Sequence, residues 1–136
     1  QELRRRAEAL HLENVLFAGH RDNAANLMPA FDVFALPSKW EGLGLVLLEA
    51  MARGVPIAAS TGGAIPEVLD NGRLGLLSRV GDSAGLRANI KRLRSDSHLR
   101  DELAARGRDA VTQRFSIAAM VNATTQVYRS VLGQAG

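Results

Sequence analysis

Residues 32–59 read Asp32-Val33-Phe34-Ala35-Leu36-Pro37-Ser38-Lys39-Trp40-Glu41-Gly42-Leu43-Gly44-Leu45-Val46-Leu47-Leu48-Glu49-Ala50-Met51-Ala52-Arg53-Gly54-Val55-Pro56-Ile57-Ala58-Ala59. Asp32 to Leu36 is a short β-type run that Pro37 and Ser38 stop. Gly42 to Arg53 has helical composition and closes with Gly54 and Pro56, the glycine-then-proline punctuation of a helix C-terminus. A second β-type run, Val55 to Ala59, follows at once. Strand, helix and strand joined by short loops make a βαβ unit, whose strands lie parallel and whose crossover is right-handed. The strands are apolar without polar alternation, as strands covered by helices on both faces should be. Ligands on such sheets bind outside the carboxyl ends of the strands.

The same alternation extends outward. Upstream, residues 2–10 predict a helix, Asn14 to Ala18 a buried strand ending at Gly19, and Asn23 to Ala30 a short helix limited by Pro29. Downstream, Ser60-Thr61-Gly62-Gly63 reads as a loop and Ile65 to Leu69 as a short helix with proline in its first turn. Asn71-Gly72 turns the chain into a last strand, Leu74 to Leu77. From Gly81 the pattern is helical, with apolar stripes at Leu86, Ile90 and Leu93, at Leu99, Leu103, Ala110 and Val111, and at Met120, Thr124, Val127 and Val131. The expected fold class is α/β: a three-layer, Rossmann-like parallel sheet with C-terminal helices. The loops after Ala18, Leu36 and Ala59 are where a ligand should sit.

Composition sets bounds. A chain of 136 residues with 46% hydrophobic content fits one domain. The absence of cysteine excludes disulfide scaffolds, thiolate catalysis and cysteine zinc sites, and fits a reducing, cytoplasmic setting. The most apolar stretch, Leu43 to Ala52, is far shorter than the ~20 residues of a membrane span and contains Glu49. The net charge of +3 permits an anionic partner. With aromatics at 4% and no stacking or groove-reading motif, nucleic acid is not the expected one. No signal peptide is visible and the chain opens Gln1-Glu2-Leu3-Arg4 without an initiator Met, so an upstream part is expected to be missing.

Between Gly42 and Ala52 the only polar side chain is Glu49. A carboxylate there is costly to bury unless something donates to it, and ligand hydroxyls in a cleft would do so. The alternative is a core-edge carboxylate paired with an arginine. Glu41 precedes the helix on its loop side, so the two carboxylates can address different parts of one elongated ligand. Gly42 and Gly44 bracket the helix start, where free N–H groups and the helix dipole suit a phosphate or diphosphate. Taken singly, these glycines, like Gly62-Gly63, also read as plain turn residues. His20 stands at the ligand end of the first expected strand. His11 and His98 read as solvated, Trp40 as packed under the loop, and the arginine-rich helices over 87–94 and 100–114 as solvated faces.

The stretch from Pro37 through Ala52 resembles the signature of the retaining, family 4 type glycosyltransferases of the GT-B fold, in which two glutamates are separated by seven residues. Further matches are Phe17-Ala18-Gly19-His20-Arg21-Asp22, Ala30-Phe31-Asp32-Val33-Phe34, Gly54-Val55-Pro56, Gly62-Gly63-Ala64-Ile65-Pro66-Glu67-Val68, Gly75-Leu76-Leu77, Gly81-Asp82 and Arg114-Phe115-Ser116, in the family's order and spacing. The resemblance implies that residues 1–136 are most of a C-terminal, nucleotide-sugar-binding GT-B domain, incomplete at its N-terminus.

It also implies roles. Glu41 would contact donor-sugar hydroxyls near the reacting centre, as the catalytic position, and Glu49 the ribose hydroxyls. The backbone of Gly42, Leu43, Gly44 and Leu45 would hold the sugar and diphosphate. His20 and Arg21 become base-contacting candidates. Transfer would proceed with retention by a front-face route in which the departing diphosphate helps deprotonate the acceptor. No metal or other cofactor is implied, and no Asp-x-Asp motif occurs. The family's diphosphate-clamping Arg and Lys lie upstream of this chain's first residue, as does the N-terminal acceptor-binding domain. The chain alone is therefore expected to be inactive, and any peripheral contact with the inner face of the membrane is expected through that absent domain. A GT-B-like epimerase or phosphorylase, and a non-catalytic nucleotide-sugar-binding module, are the alternatives. A two-carboxylate glycoside hydrolase fits poorly, because Glu41 and Glu49 lie on one loop-helix segment.

Overall fold

A computed structural model of the chain describes residues 1–133. Helix α1 spans Glu2–Ala9, a 3-10 helix Ala24–Ala30, strand β1 Phe34–Leu36, helix α2 Leu45–Ala52, strand β2 Ile57–Ser60 and helix α3 Ile65–Val68. A 3-10 turn at Asp70–Gly72 leads into strand β3, Leu76–Ser78, and then helices α4 (Ser83–Ser95), α5 (Ser97–Arg114) and α6 (Ile117–Gly133). The three strands form one parallel sheet in the order β1-β2-β3, with Phe34 opposite Ile57, Leu36 opposite Ala59, and Ser60 opposite Ser78. This is the expected open α/β sheet.

Both faces are covered, which makes the architecture three-layered. On one face Ile57 and Ala59 pack with Leu47, Met51, Ile65 and Leu69 from α2, α3 and the turn after it. On the other, Ala58 packs with Leu93 of α4 and Leu103 of α5. Consecutive β2 residues thus point to opposite cores, and all four are buried. Helix α5 serves both, giving Leu103 to one cluster and Ala110 to the other. Each fully buried leucine or isoleucine contributes about 1.5–3 kcal/mol.

Local chemistry sets the helix ends. Gly44 takes left-handed backbone (φ 63°) as the cap of α2, so the helix starts at Leu45 rather than at Gly42. It ends in the paired bonds of a Schellman turn: Gly54 N–H donates to Met51 O and Val55 N–H to Ala50 O, both at 2.9 Å. The carboxylates of Asp82 and Asp96 cap α4 and α5 by accepting from Gly85 N–H (2.8 Å) and Leu99 N–H (2.9 Å).

Two upstream expectations are corrected. Asn14 to Ala18 forms no strand, and Leu16 is 89% exposed. No strand among the described residues lies beside it; instead the Phe17 carbonyl accepts from Arg4 (3.2 Å) and the Ala18 carbonyl from Arg21 (3.1 Å). The helix at 24–30 continues through Pro29, because in its tighter 3-10 form the closing bond, Phe31 N–H to Met28 O at 2.9 Å, does not need the proline nitrogen. The strand and helix bounds downstream differ from expectation by one to three residues at most ends.

Candidate functional site

The carboxyl ends of β1 and β2 carry two loops, residues 37–44 and 61–64, that are bound to each other. Ser60, buried at the end of β2, directs its hydroxyl to the Ser38 carbonyl. Ala64 N–H donates to the Glu41 carbonyl at 3.0 Å. Between these bonds lie Gly62 and Gly63. A Cβ on Gly62 would stand 2.6 Å from the Ser38 and Lys39 carbonyl oxygens, and one on Gly63, whose φ is 61°, 2.7 Å from the Glu41 nitrogen. No side chain fits at either position without moving the backbone that carries Glu41.

Glu41 is half-buried, and its Oε1 accepts a hydrogen bond from Ser38 Oγ at 2.7 Å. A hydroxyl donating to a carboxylate fixes the side chain and leaves the second oxygen for another donor. Beside it, the amides of residues 42–46 make no backbone hydrogen bond among the described residues, as expected of a helix start. Gly42 and Leu43 also border a depression of about 280 Å³ with Ala64, Glu67, Arg114 and Phe115. Carboxylate, free amides and cleft thus lie together at the sheet's ligand edge.

Glu49 sits elsewhere on α2. It is exposed, on the same face as Leu45 (65% exposed) and Ala52, while Leu47, Ala50 and Met51 face the core. The burial cost anticipated for it does not arise, and among the described residues neither does an arginine partner: Arg53 donates to the Glu49 backbone carbonyl (3.3 Å), not to the carboxylate. Its carboxylate is free for a ligand approaching that face. Trp40 does not pack under the loop but is 74% exposed beside Glu41.

His20 and Arg21 follow an irregular segment, not the end of a strand. The His20 side chain is 90% exposed with Nε2 3.3 Å from Asp22 Oδ1. No hydrogen bond or ion pair among the described residues links either residue to Glu41 or Glu49. Among the described residues no cluster of three His, Asp or Glu could hold a metal ion, and no helix is long and apolar enough to cross a membrane. Ser38, Ser60, Arg114 and Phe115 support the site although the sequence reading gave them no role in it, Ser38, Arg114 and Phe115 having entered only as parts of motif matches. Gly62-Gly63 was their visible signal, since adjacent glycines permit close backbone approach.

An open parallel sheet whose ligand-edge loops present a held carboxylate and a helix start is the architecture of a C-terminal GT-B glycosyltransferase domain. The chain belongs to the glycosyl transferases group 1 family, whose sequence model matches residues 1–96. It is 40% identical over 124 residues to the N-acetyl-alpha-D-glucosaminyl L-malate synthase of Bacillus anthracis, covering 90% of this chain and 32% of that protein. Anabaena HepE, solved in complex with UDP, superposes with a TM-score of 0.86 at 30% identity, covering 95% of this chain and 36% of that one. The C-terminal domain of the group 1 glycosyl transferase LpcC from Francisella tularensis superposes with a TM-score of 0.72 at 30% identity, over 85% of this chain and 62% of that one. The chain spans about a third of the length of the curated relatives it matches.

Proposed function

We propose that this chain is the donor-binding part of a retaining glycosyltransferase and takes a nucleoside-diphosphate sugar at the carboxyl ends of β1 and β2. The observation that carries the reading is the Ser38-held Glu41 next to the unbonded amides of residues 42–46. The carboxylate suits sugar hydroxyls and the amides suit a diphosphate, whose developing charge they would stabilise as it departs. In this reading Glu41 acts at the sugar, the backbone of Gly42 to Leu45 at the sugar and diphosphate, Glu49 at the ribose, and His20 and Arg21 at the base. Support for the ligand class comes from HepE, which was solved with UDP and with UDP-glucose.

The transfer requires no metal, and the acceptor is held by a second, N-terminal domain. The chain by itself binds donor but transfers no sugar. The complete protein works at the cytoplasmic side of the membrane. Relatives named for lipopolysaccharide core biosynthesis and for phosphatidyl-myo-inositol mannosylation support that location.

Titration of the chain with UDP-glucose, GDP- and ADP-sugars tests the binding. Saturable, base-selective binding is expected, weakened about 10- to 100-fold by Glu49→Ala as charge-assisted hydrogen bonds are lost. In a transferase polypeptide containing this domain, Glu41→Ala should lower turnover by about a hundredfold with product of retained anomeric configuration, and EDTA should change nothing. Normal kinetics in both variants would overturn the assignment.

A further inference from the structure

Helix α4 carries a second surface that the sugar-nucleotide reading does not use. Leu93 is fully buried against the sheet, and Leu86 and Ile90 are half-buried beside it. Along the flank of Ile90 stand Arg87, Lys91 and Arg94, at helical spacing i, i+4 and i+7, all exposed. With Ser83, Leu86 and Ile90 they line a shallow groove of about 350 Å³. From Ser83 to Ser95 the helix has four cations, Arg92 being the fourth, and no acidic residue. None of these cations forms an ion pair among the described residues. The carboxylates at the two ends, Asp82 and Asp96, are engaged as helix caps.

We propose that this face of α4 docks on an anionic bilayer surface. Three cations within two helical turns, about 10 Å of axis, can face one planar layer of phosphates together. Beside them the aliphatic floor of Leu86 and Ile90, and the stems of the long side chains, suit the boundary between headgroups and acyl chains. Nucleic acid is disfavoured because neither α4 nor α5 carries a Phe, Tyr or Trp on which a base could stack. Ser83 and Leu86 also border the depression beside Pro37, Ser60 and Ser78 at the carboxyl ends of the strands, but Arg87, Lys91 and Arg94 do not line it, so the three cations can be tested separately from the donor reading.

Co-sedimentation of the chain with vesicles tests it. Binding is expected to phosphatidylcholine–phosphatidylglycerol vesicles, falling as salt is raised, and not to phosphatidylcholine alone. The triple variant Arg87→Gln, Lys91→Gln, Arg94→Gln should lower the partition coefficient about a hundredfold, at about fivefold per cation. The control triple Arg5→Gln, Arg6→Gln, Arg129→Gln makes the same change in net charge elsewhere and should leave most of the binding. If the first triple unfolds, Lys91→Gln alone decides, with an expected loss of about fivefold. No binding to anionic vesicles, equal losses in the two triples, or displacement from vesicles by an oligonucleotide at low concentration would overturn the proposal. Donor titration should be unchanged by the first triple.

Discussion

Val15-Leu16-Phe17-Ala18 and Phe34-Ala35-Leu36 are alike as sequences and unlike as structures. The second is a strand because β2 lies beside it and pairs Phe34 with Ile57. The first is irregular, and arginine side chains occupy its carbonyls where strand amides would. Being β-type is a property of a segment, whereas being a strand needs a neighbour to complete the ladder. The contrast extends beyond the backbone: from β1 to α5 most apolar side chains converge on two cores, Trp40, Leu43, Leu45 and Val80 excepted, while Leu3, Leu10, Leu12 and Leu16 are all exposed.

The largest effect that separates the two regions is expected from truncating leucines. Leu47→Ala, at a fully buried site, should cost about 2–5 kcal/mol in urea unfolding, and Leu16→Ala less than about 0.5 kcal/mol. Comparable costs would mean that residues 15–18 pack as part of the core in solution. Next comes a pair of glycines with the same left-handed backbone. Gly63→Ala should cost roughly 3 kcal/mol, since backbone strain is joined by collision with the Glu41 backbone, whereas Gly19→Ala, with open space around it, should cost about 1 kcal/mol. Equal values would show that the two loops do not approach as closely as described. The smallest change is local. Arg4→Gln removes the guanidinium 4.8 Å above the Phe17 ring and should cost about 0.5–1 kcal/mol. It should leave amide exchange at residues 58–60 unaltered, and those amides should exchange far more slowly than residues 15–18 in either protein.

Within the site, legibility followed the same division. Glu41 and the glycines at the helix start could be found from spacing, because they adjoin each other in the chain. The hydroxyl of Ser38 on Glu41 is also local, but nothing in the sequence singled it out from other serines. Ser60, Arg114 and Phe115 reach the site only through folding, which brings β2 and the end of α5 to the first loop. Glu49 was noticed for its apolar neighbours, yet whether it is buried depends on how α2 rolls against the sheet. Leu47 and Met51 face inward and turn it to solvent. Trp40 is exposed for a related reason: the close approach of Gly62 to the Ser38 and Lys39 carbonyls brings backbone, not the indole, beneath that loop.

The order of elements from β1 onward, the parallel α/β class and the carboxylate beside the sheet's carboxyl ends were determined by sequence alone, because each rests on local periodicity, helix-ending residues and the hand of a crossover. Tertiary structure decided which β-type segment is a strand, which face of α2 meets water, and how closely two loops approach around Glu41. Those depend on what stands beside a segment in space, and hydrogen-bond partners, burial and steric clearance belong to pairs of residues far apart in the chain.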